Sequence, residues 1–128
     1  MPDARILVVD DDADSLEIVR TYLESRGYRV TTAADGKEAL AILEDARPDL
    51  VLLDVMMPGI DGWEVARTIK DHPEFSATRV VMLTARSDFT DKQRGLRAGA
   101  DDYIVKPMRL EDLGRKVERN LEAARRSA

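Results

Sequence analysis

Short apolar runs alternate with amphipathic stretches along the chain, and this alternation restricts the fold more than any other feature of the sequence. Five runs resemble buried β-strands, namely residues 5–10, 29–33, 50–53, 79–83 and 102–105. Five stretches carry apolar residues at helical spacing, namely 14–26, 36–45, 61–71, 89–98 and 110–125. Strands separated by helices favour right-handed crossovers and a parallel sheet covered on both faces. The sequence therefore predicts an α/β fold, a doubly wound five-stranded parallel sheet with five helices.

The composition is that of a single globular domain. A chain of 128 residues can bury roughly two-thirds of its unfolded surface. No apolar run approaches the ~20 residues that a membrane-spanning helix needs, and no secretory signal is visible. We therefore expect a cytoplasmic protein without a membrane partner. The absence of cysteine excludes disulfides and thiolate zinc sites, and the net charge of −5 argues against direct nucleic acid binding.

Three consecutive acids, Asp10, Asp11 and Asp12, directly follow the apolar run 6–9. Carboxylates this close raise one another's pKa and disfavour joint ionisation. A divalent cation relieves the repulsion, and carboxylate oxygens suit Mg²⁺. Alternatively, acids such as Asp12 and Asp14 cap the helix that follows. The triplet alone leaves both interpretations open, although we favour capping for Asp12.

The other strand-like runs also end on polar residues. Asp54 ends the third run, Thr84 follows the fourth, and Lys106 follows the fifth. Ligands of doubly wound sheets bind beyond the carboxyl ends of the strands, where these side chains would meet Asp10 and Asp11. A carboxylate there can act as a nucleophile toward phosphorus, provided that a nearby cation keeps it ionised. Each residue alone is equally compatible with a cap or a solvated surface position.

Four stretches together resemble the receiver domain of two-component response regulators: residues 6–12, 54–62, 81–85 and 99–107. They occur in that family's order and spacing, and the resemblance extends from about residue 4 to residue 122. It implies the flavodoxin-like strand order 2-1-3-4-5. The resemblance also implies that residues 1–122 form the receiver domain. Residues 123–128 would then be a helix end or a severed linker.

The resemblance implies a role for each residue at the predicted edge. Asp54 would accept a phosphoryl group from a histidine kinase or a histidine phosphotransfer protein. Asp10, Asp11, Asp54 and the backbone carbonyl of Met56 would bind Mg²⁺. Thr84 and Lys106 would hold the phosphoryl oxygens.

The same resemblance implies a conformational switch in which Tyr103 turns inward when Thr84 moves, although a structural role for a buried tyrosine remains open. The affected surface would comprise the fourth predicted helix, the fifth strand and the fifth helix. We expect a homodimer or an output domain to bind there. The candidate polar contacts are Arg94, Arg97, Asp101, Asp102, Arg115 and Arg119.

Two other functions compete with a phosphorylation switch. A phosphatase of the haloacid dehalogenase type also uses an aspartate nucleophile, but it needs Asp-x-Asp-x-Thr/Val near the first strand. Here Asp14 stands where that pattern requires threonine or valine. An interaction module that no longer accepts phosphate is the other alternative, and the complete set of candidate site residues argues against it. We therefore expect no enzyme beyond catalysis of its own phosphorylation and dephosphorylation.

Overall fold

The computed structural model of the protein describes residues 3–55, 59, 62–84 and 99–127. Within these ranges the strands are β1 (Arg5–Val9), β2 (Arg29–Ala33), β3 (Leu50–Asp54), β4 (Arg79–Thr84) and β5 (Asp102–Val105). The helices of the same ranges are α1 (Ala13–Ser25), α2 (Gly36–Ala46), α3 (Gly62–Asp71) and α4 (Leu110–Ser127). The predicted helix over 89–98 lies outside the described residues, so α4 is the fifth helix that the sequence predicts.

The five strands form one parallel sheet in the order β2-β1-β3-β4-β5. This confirms the predicted α/β class and the strand order that the resemblance implies. Asp54 is paired in register with Leu83, and Thr84 with Val105. Since all strands run in one direction, their carboxyl ends meet at a single edge of the sheet.

Each face of the sheet has its own hydrophobic core, because successive side chains of a strand point to opposite faces. One face buries Leu7, Leu53 and Met82 against α2 and α3. The other face buries Ile6, Leu52 and Val81 against α1 and α4. The helical residues packed in these cores are Leu43, Trp63, Ala66 and Ile69 on the first face, and Leu23, Leu113, Val117 and Leu121 on the second. The chain is therefore a three-layer sandwich with helices on both faces.

β3 lies at the centre of the sheet, and all five of its residues are buried. The edge strand β2 instead alternates between exposed and less exposed residues. A continuous apolar run is what a parallel strand covered on both faces requires. The run that ends on Asp54 therefore places that acid at the end of the most enclosed strand.

Local capping determines where the first two helices begin and end. The side chain of Asp35 accepts a 2.8 Å hydrogen bond from the Glu38 amide, so α2 begins directly after it, as predicted. Gly27, with φ of +93°, follows the last turn of α1. Left-handed backbone at that position favours glycine, which explains why α1 stops there.

Candidate functional site

The predicted site residues within the described ranges meet at the carboxyl edge of the sheet. Asp10 directly follows β1, Asp54 and Thr84 are the last residues of β3 and β4, and Lys106 directly follows β5. The Lys106 amide donates a 2.6 Å hydrogen bond to the Thr84 carbonyl oxygen, which joins the ends of β4 and β5. The strand order thus assembles side chains that are up to 96 residues apart in sequence.

Three carboxylates form a compact acidic cluster at this edge. Oxygens from Asp10, Asp11 and Asp54 all lie within 4.8 Å of one another. Asp10 and Asp54 are buried, whereas Asp11 is exposed. Three converging oxygen ligands, one of them open to solvent, fit a hard divalent cation that keeps several water ligands, as Mg²⁺ does.

Lys106 places a positive charge beside two acids of this cluster, Asp10 and Asp54. Its Nζ atom donates a 3.0 Å hydrogen bond to Oδ2 of Asp54 and lies 3.7 Å from Oδ2 of Asp10. Burial lowers the pKa of the Lys106 ammonium group, but the hydrogen bond and charge of Asp54, followed by those of Asp10, more than offset this effect and raise its pKa. Lys106 therefore remains protonated beside the two acids.

Asp10 is a member of the cluster whose carboxyl pKa is raised. Burial raises the pKa of its carboxyl group, and the neighbouring negative charge of Asp54 raises it further. A 3.0 Å hydrogen bond from the Asp12 amide and the charge of Lys106 oppose this rise without cancelling it. Two buried acids share one lysine here, so an additional cation would stabilise the ionised cluster.

Asp12 has a different role from its two neighbours, because it caps α1. Its side chain accepts a 3.0 Å hydrogen bond from the Asp14 amide and a 3.1 Å hydrogen bond from the Ser15 hydroxyl. The Ser15 contact, followed by that with Asp14, lowers the pKa of Asp12. The expected capping role of Asp12 is confirmed. The triplet thus combines both interpretations, with metal-type geometry at Asp10 and Asp11 and a cap at Asp12.

The two residues of the predicted switch lie on neighbouring strands. Thr84 is buried at the end of β4, and Tyr103 is partly buried in β5, packed against the core on the α2 and α3 side. The Tyr103 amide donates a 2.8 Å hydrogen bond to Asp102. Their proposed coupling stays a prediction. The Met56 carbonyl, Arg94 and Arg97 lie outside the described residues.

Gly62 lies directly against the backbone of Asp54 and Val55, a close approach that the sequence analysis did not predict. A Cβ atom at position 62 would lie 2.5 Å from the Asp54 carbonyl oxygen and 2.9 Å from Cα of Val55. Because both neighbours are backbone atoms, they cannot move aside as a flexible side chain can. The absence of a side chain lets α3 begin directly against the end of β3. The sequence did point to this position, since Gly62 is the last residue of the stretch 54–62 that resembles the receiver family.

An apolar groove of about 690 Å³ adjoins the acidic cluster. It lies between α1 and α4, and its lining includes Asp10, Ile18 and Lys106. Ile18 is open to solvent, with 56% of the residue exposed. The remaining lining residues are Ser15, Val19, Leu83, Ile104, Pro107, Met108, Leu110 and Leu113.

Comparison with known families identifies the family to which this chain belongs. The family profile described as "Response regulator receiver domain" matches residues 6–118. The chain belongs to the response regulator receiver domain family. This receiver domain is 44% identical over 117 residues to the "DNA-binding response regulator MtrA" of Mycobacterium tuberculosis strain H37Rv, an alignment that covers 91% of this chain and 50% of MtrA. The chain therefore spans about half the length of that relative.

Solved structures show the same fold. The chemotaxis protein CheY4 of Vibrio cholerae superposes with a TM-score of 0.88 at 37% identity, covering 91% of this chain and 98% of CheY4. A CheY-like receiver domain protein from Methanospirillum hungatei superposes with a TM-score of 0.92 at 32% identity, covering 98% of this chain and 99% of that protein. In the described part of the receiver domain, no helix combines the length and apolar character needed to cross a membrane.

Proposed function

We propose that this receiver domain accepts a phosphoryl group on Asp54 and thereby switches an output surface. The observation that carries the proposal is the placement of the Asp54 carboxylate, which lies within 4.8 Å of carboxylate oxygens of Asp10 and Asp11 and 3.0 Å from the ammonium group of Lys106. A carboxylate attacks phosphorus only when it is ionised. The ammonium group of Lys106 places a positive charge 3.0 Å from this carboxylate.

The donor we propose is the phosphohistidine of a histidine kinase or a histidine phosphotransfer protein. A carboxylate oxygen of Asp54 would form a bond to phosphorus while the phosphorus–nitrogen bond of the donor breaks, and the released imidazole would take a proton from solvent. Lys106 and the Thr84 hydroxyl would then bind oxygens of the transferred group. The product is a mixed anhydride, so its later hydrolysis would return Asp54 to its starting state.

The acids of the cluster fit a Mg²⁺ ion as cofactor. Asp10, Asp11, Asp54 and the backbone carbonyl of Met56 would hold it. When bound, Mg²⁺ would neutralise the negative charge that the phosphoryl oxygens bring to a site already containing three carboxylates. The raised pKa of Asp10, which comes first from burial and then from the charge of Asp54, is consistent with this assignment, because a bound cation would favour the ionised carboxylate.

The apolar groove beside the cluster suits the approach of the donor. A donor protein has to bring its phosphohistidine to Asp54, and the groove between α1 and α4 opens beside Lys106. The exposed apolar side chain of Ile18 would be buried on such an approach. We therefore propose that the kinase or phosphotransfer protein contacts α1 and the residues after β5.

We propose that the output surface comprises β5, α4 and the fourth predicted helix. Asp101 and Asp102 are partly buried and bound within the chain, to Lys70 and Lys116 respectively. Because they are less exposed, they are weaker candidates for contacts with a homodimer or output partner than Arg115 and Arg119, which are both exposed. The name of MtrA refers to DNA binding by that longer protein. For the present chain we still expect no direct nucleic acid contact.

Phosphorylation in solution tests the proposal. With Mg²⁺ and acetyl phosphate, intact mass spectrometry should show one phosphoryl group on the wild-type chain and none on Asp54→Asn. Asp45→Asn, which makes the same change at an exposed acid, should be phosphorylated like the wild type. Peptide mapping that places the group on another residue would overturn the assignment of Asp54. Continuous release of phosphate from a phosphomonoester would favour the phosphatase instead.

A further inference from the structure

A network of polar side chains lies at the edge of the sheet opposite Asp54, where β4 and β5 begin. Its first part is Asp101, whose Oδ2 atom accepts hydrogen bonds of 2.9 Å from Lys70 Nζ and 2.8 Å from the Val80 amide. Lys70 also donates a 2.9 Å hydrogen bond to the Thr78 carbonyl oxygen. These contacts attach the start of β5 to α3 and to the start of β4.

The next residue, Asp102, faces the opposite side of the sheet and binds α4. Its carboxylate accepts 3.0 Å hydrogen bonds from Lys116 Nζ and Asn120 Nδ2, and one of 2.8 Å from the Tyr103 amide. Burial raises the pKa of Asp102, but these hydrogen bonds more than offset the effect and lower its pKa. The two adjacent acids therefore attach β5 to both helical layers.

Asn120 joins the two halves of the network. This buried side chain accepts a 3.0 Å hydrogen bond from Arg79 Nη2 at Oδ1, and its Nδ2 group donates to Asp102 and, at 2.9 Å, to the Lys116 carbonyl oxygen. The Nη1 atom of the same arginine lies 3.5 Å from Asp101. We call Arg79, Asp101, Asp102, Lys116 and Asn120 the Asn120 clamp.

The proposed switch extends from the other end of β4 to a residue of β5 that lies next to the clamp. Thr84 ends β4, and Tyr103 directly follows Asp102 in β5. The apolar contacts between Ile104 and α4 are non-directional, so they tolerate sliding. The hydrogen bonds of the clamp require defined distances and angles, so they force the start of β5 and α4 to move together.

We propose that Asn120 is a positioning residue that transmits the state of Asp54 to α4. The clamp fixes the amino end of β5, so that a shift of its carboxyl end turns β5 and α4 as one body. This inference rests on the proposed phosphorylation switch. The clamp itself touches neither the acidic cluster nor the phosphoryl group, and its loss should leave binding at Asp54 intact while uncoupling α4.

A charge exchange within the clamp tests the inference. In Asn120→Asp the new carboxylate would face Asp102, and the repulsion should open the clamp. Adding Asp102→Asn to the same chain restores one amide and one carboxylate, so that an amide donor again faces a carboxylate acceptor between the two positions. Only the bond to the Lys116 carbonyl oxygen stays lost. Asn120→Leu removes the hydrogen bonds without adding charge, and it replaces Asn120→Asp if that variant does not fold.

Amide hydrogen exchange with and without Mg²⁺ and beryllofluoride, a phosphoryl mimic, provides the readout. The wild type should gain protection in β5 and α4. In Asn120→Asp, beryllofluoride affinity should stay within about twofold, while the protection gained in α4 falls at least about threefold; the double variant should recover it. An unchanged gain in Asn120→Asp, or no recovery in the double variant, would overturn the inference alone. Failure of the wild type to bind beryllofluoride would overturn the proposed function as well.

Discussion

Lys106 donates a 3.0 Å hydrogen bond from its ammonium group to the Asp54 carboxylate. A positive charge therefore occupies space beside the carboxylate oxygens proposed to bind Mg²⁺. A divalent cation and an ammonium group that share the same carboxylates repel each other. Under the proposed function, Lys106 would therefore have two opposing effects, since it would bind the phosphoryl oxygens and would compete with Mg²⁺.

Replacement of Lys106 by alanine should strengthen Mg²⁺ binding. We expect an increase in affinity of about threefold, a modest factor because solvent screens a side chain that is 38% exposed. Isothermal titration calorimetry measures the change. Lys37→Ala, which removes the same charge from the exposed side of α2, measures the long-range contribution alone. Weaker Mg²⁺ binding in Lys106→Ala than in Lys37→Ala would contradict this prediction.

Replacement of Asp11 by asparagine should weaken Mg²⁺ binding at least about tenfold, because a neutral amide oxygen replaces a charged ligand. Asp14→Asn is the matched control, since Asp14 is also exposed and lies in the first turn of α1 outside the cluster. NMR titration of the amides around Asp54 gives both affinities. Equal affinities for the two variants would remove Asp11 from the metal site.

Replacement of Gly62 by alanine should reduce phosphorylation of Asp54 and lower the free energy of unfolding by about 2 kcal/mol, because the new methyl group overlaps backbone atoms of β3. Gly114→Ala is a control within α4. Its methyl group would meet the Tyr22 hydroxyl at 2.8 Å, the far end of a side chain that can move. Normal phosphorylation of Gly62→Ala, measured by intact mass, would show that the close approach does not position Asp54.

The lowered pKa of Asp102 predicts a pH-dependent stability. A carboxyl group with a depressed pKa stabilises the fold above its unfolded value, near 3.8, and loses that contribution as the pH falls through its folded value. Asp102→Asn should therefore lower the free energy of unfolding by about 1–3 kcal/mol at neutral pH. The difference from the wild type should shrink below pH 3.8. Urea unfolding at several pH values tests this, with Asp45→Asn as the exposed control.

Much of the fold and the acidic cluster could be predicted because both follow from patterns that are local in sequence. The apolar run 50–53 marks a strand, and the acid that follows it must lie at the strand's carboxyl end. Parallel strands place Asp10 and Asp54 at the same edge of the sheet, and they meet there because β1 and β3 are neighbours. The order of the strands, in contrast, came from the family resemblance rather than from the periodicity.

Other features depend on geometry that a sequence pattern does not contain. The sequence does not show which acid of the triplet caps α1 and which acids join the cluster with Asp54. The structure does, because Asp12 is the acid that accepts a hydrogen bond from the Asp14 amide. Asn120 lies on the buried side of a helix, where its partners Asp102 and Arg79 are 18 and 41 residues away. Periodicity predicts that such a position faces inward, but it does not identify the polar groups that it meets there.

The complete enclosure of β3 has a mechanical consequence for a group attached to Asp54. The amides of this strand should be among the last to exchange with solvent, because a central strand opens only when the whole domain unfolds. A phosphoryl group bonded to its last residue would therefore be attached to a strand that resists displacement. Crowding caused by this group would then be relieved by displacement of neighbouring segments rather than of Asp54, so structural changes would be expected away from the centre of the sheet.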